Sequence, residues 1–279
     1  MQSAESSLVR CYSVKRVQRG ESERIVDTVA VEEPLDIRVT YWFKDTQLSQ
    51  SLAVTMRTPG DDRELAAGFL LSEGIIRDSS DIGGLRQLGT EPSNEIVAEL
   101  ARSVDFESWR AARTSFVSAS CGICGKRSRE ALETQIPARA EDQFRLSASV
   151  IEKLPDLLRQ HQAGFSQTGG LHAAALVTSN GAVERVFEDI GRHNALDKLI
   201  GHAVLTKRIP LVDSILFLSS RSSFELIQKA AMAGAPALAT VGGPSSLGIE
   251  AAREYGITLI GFVRENRFNI YSGDWRISL

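Results

Sequence analysis

The chain has 279 residues, 43% hydrophobic and 24% charged, with a net charge of −3. That length and composition suit one large soluble domain or two modest ones, and they exclude a disordered or fibrous protein. The small negative charge excludes bulk attraction to nucleic acid or an anionic membrane, and no apolar run approaches the ~20 residues of a membrane span.

The N-terminus, MQSAESSLVRCYSVKRVQRGESERI, is polar and lacks the apolar core of a signal peptide. It predicts a flexible leader over residues 1–24 and a cytoplasmic protein. Leu35, Ile37, Val39 and Tyr41 alternate with Asp36, Arg38 and Thr40, the period of a half-buried strand. Leu52, Val54 and Met56 predict a second strand. In DDRELAAGFLLSEGII, Leu65, Phe69 and Leu70 fall at helical spacing, and Gly74 can stop the helix. A third strand fits residues 94–101. Polar stretches then flank Cys121 and Cys124 on both sides. The change in composition sets a domain boundary near residue 140. Before it, residues 25–140 form an α+β domain ending in the cysteine loop. After it, residues 141–279 form a second domain.

The second domain has a clearer rhythm. SASVIEKLPDLLRQHQ reads as a Ser-capped helix with Ile151, Leu154, Leu157 and Leu158 on one face. LHAAALVT and VERVFEDI flank Asn180-Gly181, a strong hairpin signal. A helix from about Arg192 to Lys207 follows. Then strand and helix alternate through SILFLSS, SSFELIQKAAMAG, PALATVGG, SSLGIEAAREYG and ITLIGFV. This order predicts an α/β fold with a parallel run, helices on both faces and a ligand crevice beyond the carboxyl ends of the strands. Those ends carry Ser219-Ser220-Arg221, Gly242-Gly243-Pro244-Ser245 and Val263 to Arg267, chemistry suited to phosphate.

Three cysteines, Cys11, Cys121 and Cys124, are too few and odd in number for a secreted disulfide framework. Cys121-Gly-Ile-Cys124 sits among Ser118, Ser120, Gly122 and Gly125, with Lys126 and Arg127 close enough in sequence to favour a thiolate. Its residues fit half of a zinc site, a dithiol redox centre, a persulfide carrier or an inert pair, and the spacing leaves these open. Arg192 and His193 open a helix after Asp189 and Gly191, a suitable anion site, and His172 begins a neighbouring strand. Ser222 and Glu225 fit a capping box, which leaves Arg221 free to face the crevice. Phe262 offers a ring for stacking, and Arg264 and Arg267 offer guanidinium groups.

Together these segments resemble the formate dehydrogenase accessory sulfurtransferase family, FdhD. The resemblance rests on LAAGFLLSEGII, SCGICGK, TGGLHAAAL, EDIGRHNALDKLIG, SSRSSFELIQKAAMAGAP and GFVRENR, in that order. It implies a sulfurtransferase that takes sulfur from a cysteine desulfurase and passes it to the molybdenum cofactor, bis-molybdopterin guanine dinucleotide, before insertion into formate dehydrogenase. Cys121 matches the persulfide cysteine and Cys124 its partner. Phe262, Val263, Arg264, Glu265, Asn266 and Arg267 match the cofactor-binding stretch. With the resemblance, the expected cofactor site also takes in His172, Arg192, His193, Arg221 and Gly243, and GDP is a partial mimic of the ligand. The resemblance further implies a homodimer and a cytidine deaminase-like second domain. The deaminase zinc signature, His-x-Glu with a downstream Pro-Cys-x-x-Cys, is absent from this sequence, so no metal ligand set is expected. Many relatives carry Gly between the two basic residues where this chain has Glu265-Asn266. The rival expectation is a zinc-knuckle chaperone that binds and delivers cofactor without transferring sulfur.

Overall fold

The computed structural model describes residues 8–89, 93–108, 136 and 143–279. Cys121, Cys124, Lys126 and Arg127 lie outside the described residues.

The chain begins with an antiparallel hairpin, β1 (Val9–Gln18) and β2 (Glu21–Ala30). This corrects the expected flexible leader from Val9 onward. The polar sequence conceals alternating β-branched residues: Val14 pairs with Ile25 on one face, and Ser13 with Val26 on the other. Arg19-Gly20 turns the hairpin, both with positive φ.

β3 (Glu33–Phe43) and β4 (Thr46–Arg57) follow and enclose the two expected strands. Helix α1 (Asp62–Ser72) ends where Gly74 takes a φ of 70°. β5 (Ile82–Gln87) was not expected, because Gly83-Gly84 hides its alternation. β6 (Glu95–Leu100) completes a sheet of order β4-β3-β6-β5.

Past the expected boundary, β7 (Leu146–Ser147) leads into α2 (Ala148–Gln160), where Ser147 Oγ accepts from Val150 N at 3.3 Å. A short helix absent from the sequence reading, α3 (Ala163–Thr168), stops at Gly169 with a φ of 64°. β8 (His172–Thr178) and β9 (Val183–Asp189) form the predicted hairpin. Then come α4 (Arg192–Leu205), β10 (Ser214–Leu218), α5 (Phe224–Met232), β11 (Ala237–Thr240), α6 (Ser246–Glu254) and β12 (Thr258–Arg264). An added edge strand, β13 (Arg267–Ser272), turns back on β12, and β14 (Ile277–Ser278) pairs with β7. The six-stranded order is β13-β12-β11-β10-β8-β9, with β10, β11 and β12 mutually parallel.

Alternation along these strands sorts the core. Ala173, Ala175, Val177, Ile215, Phe217 and Ile260 face Ile151, Leu154 and Leu158 of α2. Ala174, Leu176, Leu216, Leu218, Leu238 and Leu259 face a second cluster, with Leu196 and Leu199 of α4 and Ile227 of α5. That cluster continues into Leu70 of α1, Val39 and Tyr41 of β3 and Ala98 of β6, so one core joins residues on both sides of the expected boundary. The join is tight. A Cβ on Gly68 of α1 would fall 1.8 Å from the Asp197 carbonyl oxygen, and one on Gly201 of α4 would fall 1.8 Å from that of Glu64. No helix among the described residues is long and apolar enough to cross a membrane.

Candidate anion crevice at the strand ends

The strand ends of the six-stranded sheet are tied together through their backbones. Gly242 N donates to Ser220 O, Phe262 N to Gly242 O, and Ser222 N to Gly243 O, at 2.9, 3.0 and 3.3 Å. The start of β8 joins them, because Ala173 N donates to Ser219 Oγ at 2.9 Å. Above this floor lies a cavity of about 280 Å³ lined by His172, Arg192, Ser219, Ser220, Arg221, Val241, Gly242 and Arg264. Three arginines and, among the described residues, no acidic residue line it. That charge suits a phosphate or diphosphate.

The loops leave little spare room. A Cβ on Gly242 would fall 2.8 Å from Arg221 Cγ, so the bare backbone lets the arginine stem lie along it. A Cβ on Gly243 would fall 2.5 Å from Phe262 Cζ, so the aromatic ring covers that glycine. Phe262 has a φ of 54° and is 44% exposed. A left-handed backbone is strained in an aromatic residue and marks a position held by its surroundings. No sequence pattern announced it.

The remaining expected residues separate. Val263 is fully buried in the core beneath the sheet, so its side chain is not a cofactor ligand. Its apolar character was the signal; the break in alternation at Phe262, which puts Val263 on the same face as Ile260, was not legible. Arg264 Nη1 donates to the carbonyls of Val241 and Val263, both at 2.7 Å. Glu265 and Asn266 form the two-residue turn between the paired Arg264 and Arg267. Neither adopts a left-handed φ, so this turn does not require glycine. Glu265, Asn266 and Arg267 are exposed and lie outside the cavity lining.

His193 is not a lining residue either. Its Nε2 lies 2.8 Å from Glu225 Oε2 of α5. Burial lowers its pKa to about 4, against the opposing charge of Glu225, so the ring is neutral at neutral pH. The Ser222–Glu225 capping box is not formed. Ser223 is the N-cap and uses no side-chain bond, Ser222 is buried beside Thr240, and Glu225 reaches His193 instead. His172 does face the cavity. Burial first, and then the charge of Arg192, hold its pKa below 6.5, while Asp189 opposes them.

The segment around Asp189 is mainly a clamp. Asp189 is fully buried 2.8 Å from Lys198 Nζ, and its carboxylate accepts from Thr58 N, Gly191 N and Asn194 Nδ2. Lys198 also donates to Thr58 O at 3.0 Å. Glu188 accepts from Gly164 N and Phe165 N, both at 2.8 Å, which satisfies the first amides of α3. These bonds place Arg192 at the crevice by locking the β9–α4 corner onto the end of β4. Sequence reasoning grouped these polar residues and missed that most of them are buried partners of one another.

Comparison with known proteins gives a consistent result. Residues 30–278 match the family model described as the FdhD/NarQ family. A Streptomyces coelicolor protein named sulfur carrier protein FdhD is 42% identical over 274 residues, covering 95% of this chain and 94% of the relative. A Corynebacterium efficiens protein of the same name is 44% identical over 277 residues, covering 94% and 96%. A Sulfurisphaera tokodaii protein, also so named, is 39% identical over 269 residues, covering 95% and 99%. A crystal structure of a putative formate dehydrogenase accessory protein from Desulfotalea psychrophila superposes with a TM-score of 0.75 at 24% identity, covering 97% of this chain and all of that one. The fold is therefore shared with that structure, and by near full-length similarity of sequence the chain belongs to the FdhD/NarQ family.

Proposed function

We propose that this protein is a sulfur carrier in formate dehydrogenase maturation that loads sulfur on Cys121 and delivers it to a cofactor anchored in the strand-end crevice. The carrier role follows from its relatives, which are named sulfur carrier proteins. The observation that carries the cofactor part is the crevice itself, where Arg192, Arg221 and Arg264 converge with no acidic residue among the described lining. Such a site fits the diphosphate of a guanine dinucleotide, with Phe262 exposed beside it for the base. The proposed substrate is the bis-molybdopterin guanine dinucleotide form of the molybdenum cofactor. The donor is a cysteine desulfurase, the recipient is formate dehydrogenase, and the working form is a cytoplasmic homodimer. Kinship of the second half with cytidine deaminases belongs to the same reading, supported by its strand and helix order.

The loading step is a thiol exchange. The Cys121 thiolate attacks the terminal sulfur of the donor persulfide, forming Cys121–S–SH and releasing the donor cysteine as thiolate. For release, the Cys124 thiolate attacks Cys121 Sγ, expels hydrosulfide toward the metal, and leaves a Cys121–Cys124 disulfide for a dithiol to reduce. In cofactor binding, the three arginines hold phosphate above the strand-end loops.

Labelled sulfur transfer from a desulfurase tests the carrier. Cys121→Ala is expected to take up no label, and full uptake by that variant would overturn the assignment. Stoichiometric zinc bound through Cys121 and Cys124 would favour the chaperone reading. For the crevice, GDP is the probe. Arg221→Ala and Arg264→Ala are each expected to weaken it by about tenfold or more, the worth of a charge-assisted hydrogen bond.

His172 adds a pH signature. An anion beside the ring offsets the penalty that burial and Arg192 place on its charged form, so binding draws a proton onto it. Between the free-state pKa, which lies below 6.5, and the higher bound value, affinity therefore rises as pH falls. GDP affinity of the wild type is expected to gain on that of His172→Asn by up to about tenfold per pH unit in that window. The titration of GDP itself cancels in the ratio. A ratio that is flat from about pH 8 to about pH 5.5 would show that His172 does not meet the anion.

A further inference from the structure

Two of the crevice arginines sit where helices begin. Arg192 opens α4, and Arg221 lies just before α5. Their like charges repel across a small cavity whenever no anion separates them. The two helices are cross-linked by two polar rungs four residues apart on each helix. The lower rung is Asp197–Lys229, with Nζ 2.8 Å from both carboxylate oxygens and Ser72 Oγ donating to Asp197 at 2.7 Å. It is buried in the common core. The upper rung is the His193–Glu225 pair, where Nε2 lies 2.8 Å from Oε2 in a close contact whose angle is not that of a hydrogen bond. It is half-exposed; His193 directly follows Arg192, and Glu225 lies four residues after Arg221.

We infer that Glu225 and His193 are positioning residues, a strut that sets the spacing of Arg192 and Arg221 for a diphosphate. The inference rests on the crevice reading above and adds to it two residues outside the cavity lining. Neither touches the anion. Glu225 in particular has the wrong charge to do so, and this separates positioning from simple electrostatics. A carboxylate near an anion site weakens anion binding through space, so neutralising it should tighten binding or leave it unchanged. A strut predicts the opposite sign.

The test is calorimetric binding of GDP and of inorganic pyrophosphate to the full chain, comparing wild type, Glu225→Gln, His193→Asn and the double variant. Each single variant is expected to bind both ligands about five- to tenfold more weakly, and the double variant no more weakly than either single one, because both changes remove the same rung. Melting temperatures should stay close to wild type, since the buried lower rung is intact. Pyrophosphate lacks a base, so equal losses for the two ligands locate the effect at the phosphates. Unchanged or tighter binding by Glu225→Gln, with wild type binding normally, overturns the strut and leaves the crevice reading standing. Additive losses in the double variant also overturn it. Failure of the wild type to bind either ligand removes the crevice reading and the strut together.

Discussion

Gly201→Ala is expected to destabilise the protein by about 3 kcal/mol or more, seen as a large drop in the urea midpoint. In an exposed helix the same change stabilises by about 1 kcal/mol, so the sign alone is informative. The reason is the crossing of α1 and α4. The new methyl would fall 1.8 Å from the Glu64 carbonyl oxygen and 2.6 Å from Gly68 N, and both belong to helix backbone that cannot swing aside. Relief requires moving one helix off the other. Leu70, Leu196 and Leu199 pack in the same cluster and would lose contact as the helices part. A stability equal to or above wild type would show that the two helices do not approach as closely as described.

The second large effect is expected for Asp189→Ala. Removing a partner from a buried ion pair typically costs about 3–5 kcal/mol, because the remaining charge stays buried without compensation. Here that charge is Lys198, which is fully buried. The change also strips an acceptor from Thr58 N, Gly191 N and Asn194 Nδ2. Asp189→Asn keeps the shape and should lose less. Denaturant unfolding measures both variants, and a loss below about 1 kcal/mol for Asp189→Ala would mean that the clamp is not formed. Any loss of sulfur transfer in either variant must be weighed against this unfolding, since Asp189 is shielded from the crevice by its own partners.

These two positions show what the sequence could and could not reveal. Periodicity located the regular elements well. The alternation of Leu35, Ile37, Val39 and Tyr41 became β3, and the strand–helix rhythm after residue 140 became the six-stranded sheet with its crevice. The crevice arginines were legible because strand ends in an open α/β sheet face one side. The role of Gly68 and Gly201 was not legible, because a glycine in a helix gives no sign of a neighbouring backbone. Asp189 was noticed as polar and close to Arg192 and His193, but a buried ion pair and a reactive carboxylate look alike in one dimension. Val263 was assigned to the ligand with its neighbours as a block, and the irregularity of β12 at the left-handed Phe262, which turns Val263 onto the same face as Ile260, has no signal in the sequence. The hairpin from Val9 to Ala30 was missed because its apolar residues are sparse and spread over two faces. β13 was missed for a different reason: no element was assigned after ITLIGFV, although Phe268 and Ile270 alternate.

The floor of the crevice has one more consequence. Three amides of its strand-end loops are spent on neighbouring carbonyls: Gly242 N on Ser220, Phe262 N on Gly242, Ser222 N on Gly243. A phosphate-binding nest built from amides offers a bound oxyanion a fixed ring of small dipoles, which reads the shape of the anion. With those three amides committed, recognition falls mainly to the charged side chains that line the cavity. Its selectivity should therefore be for the number and spacing of negative charges in the guest, with little regard for the atom at their centre.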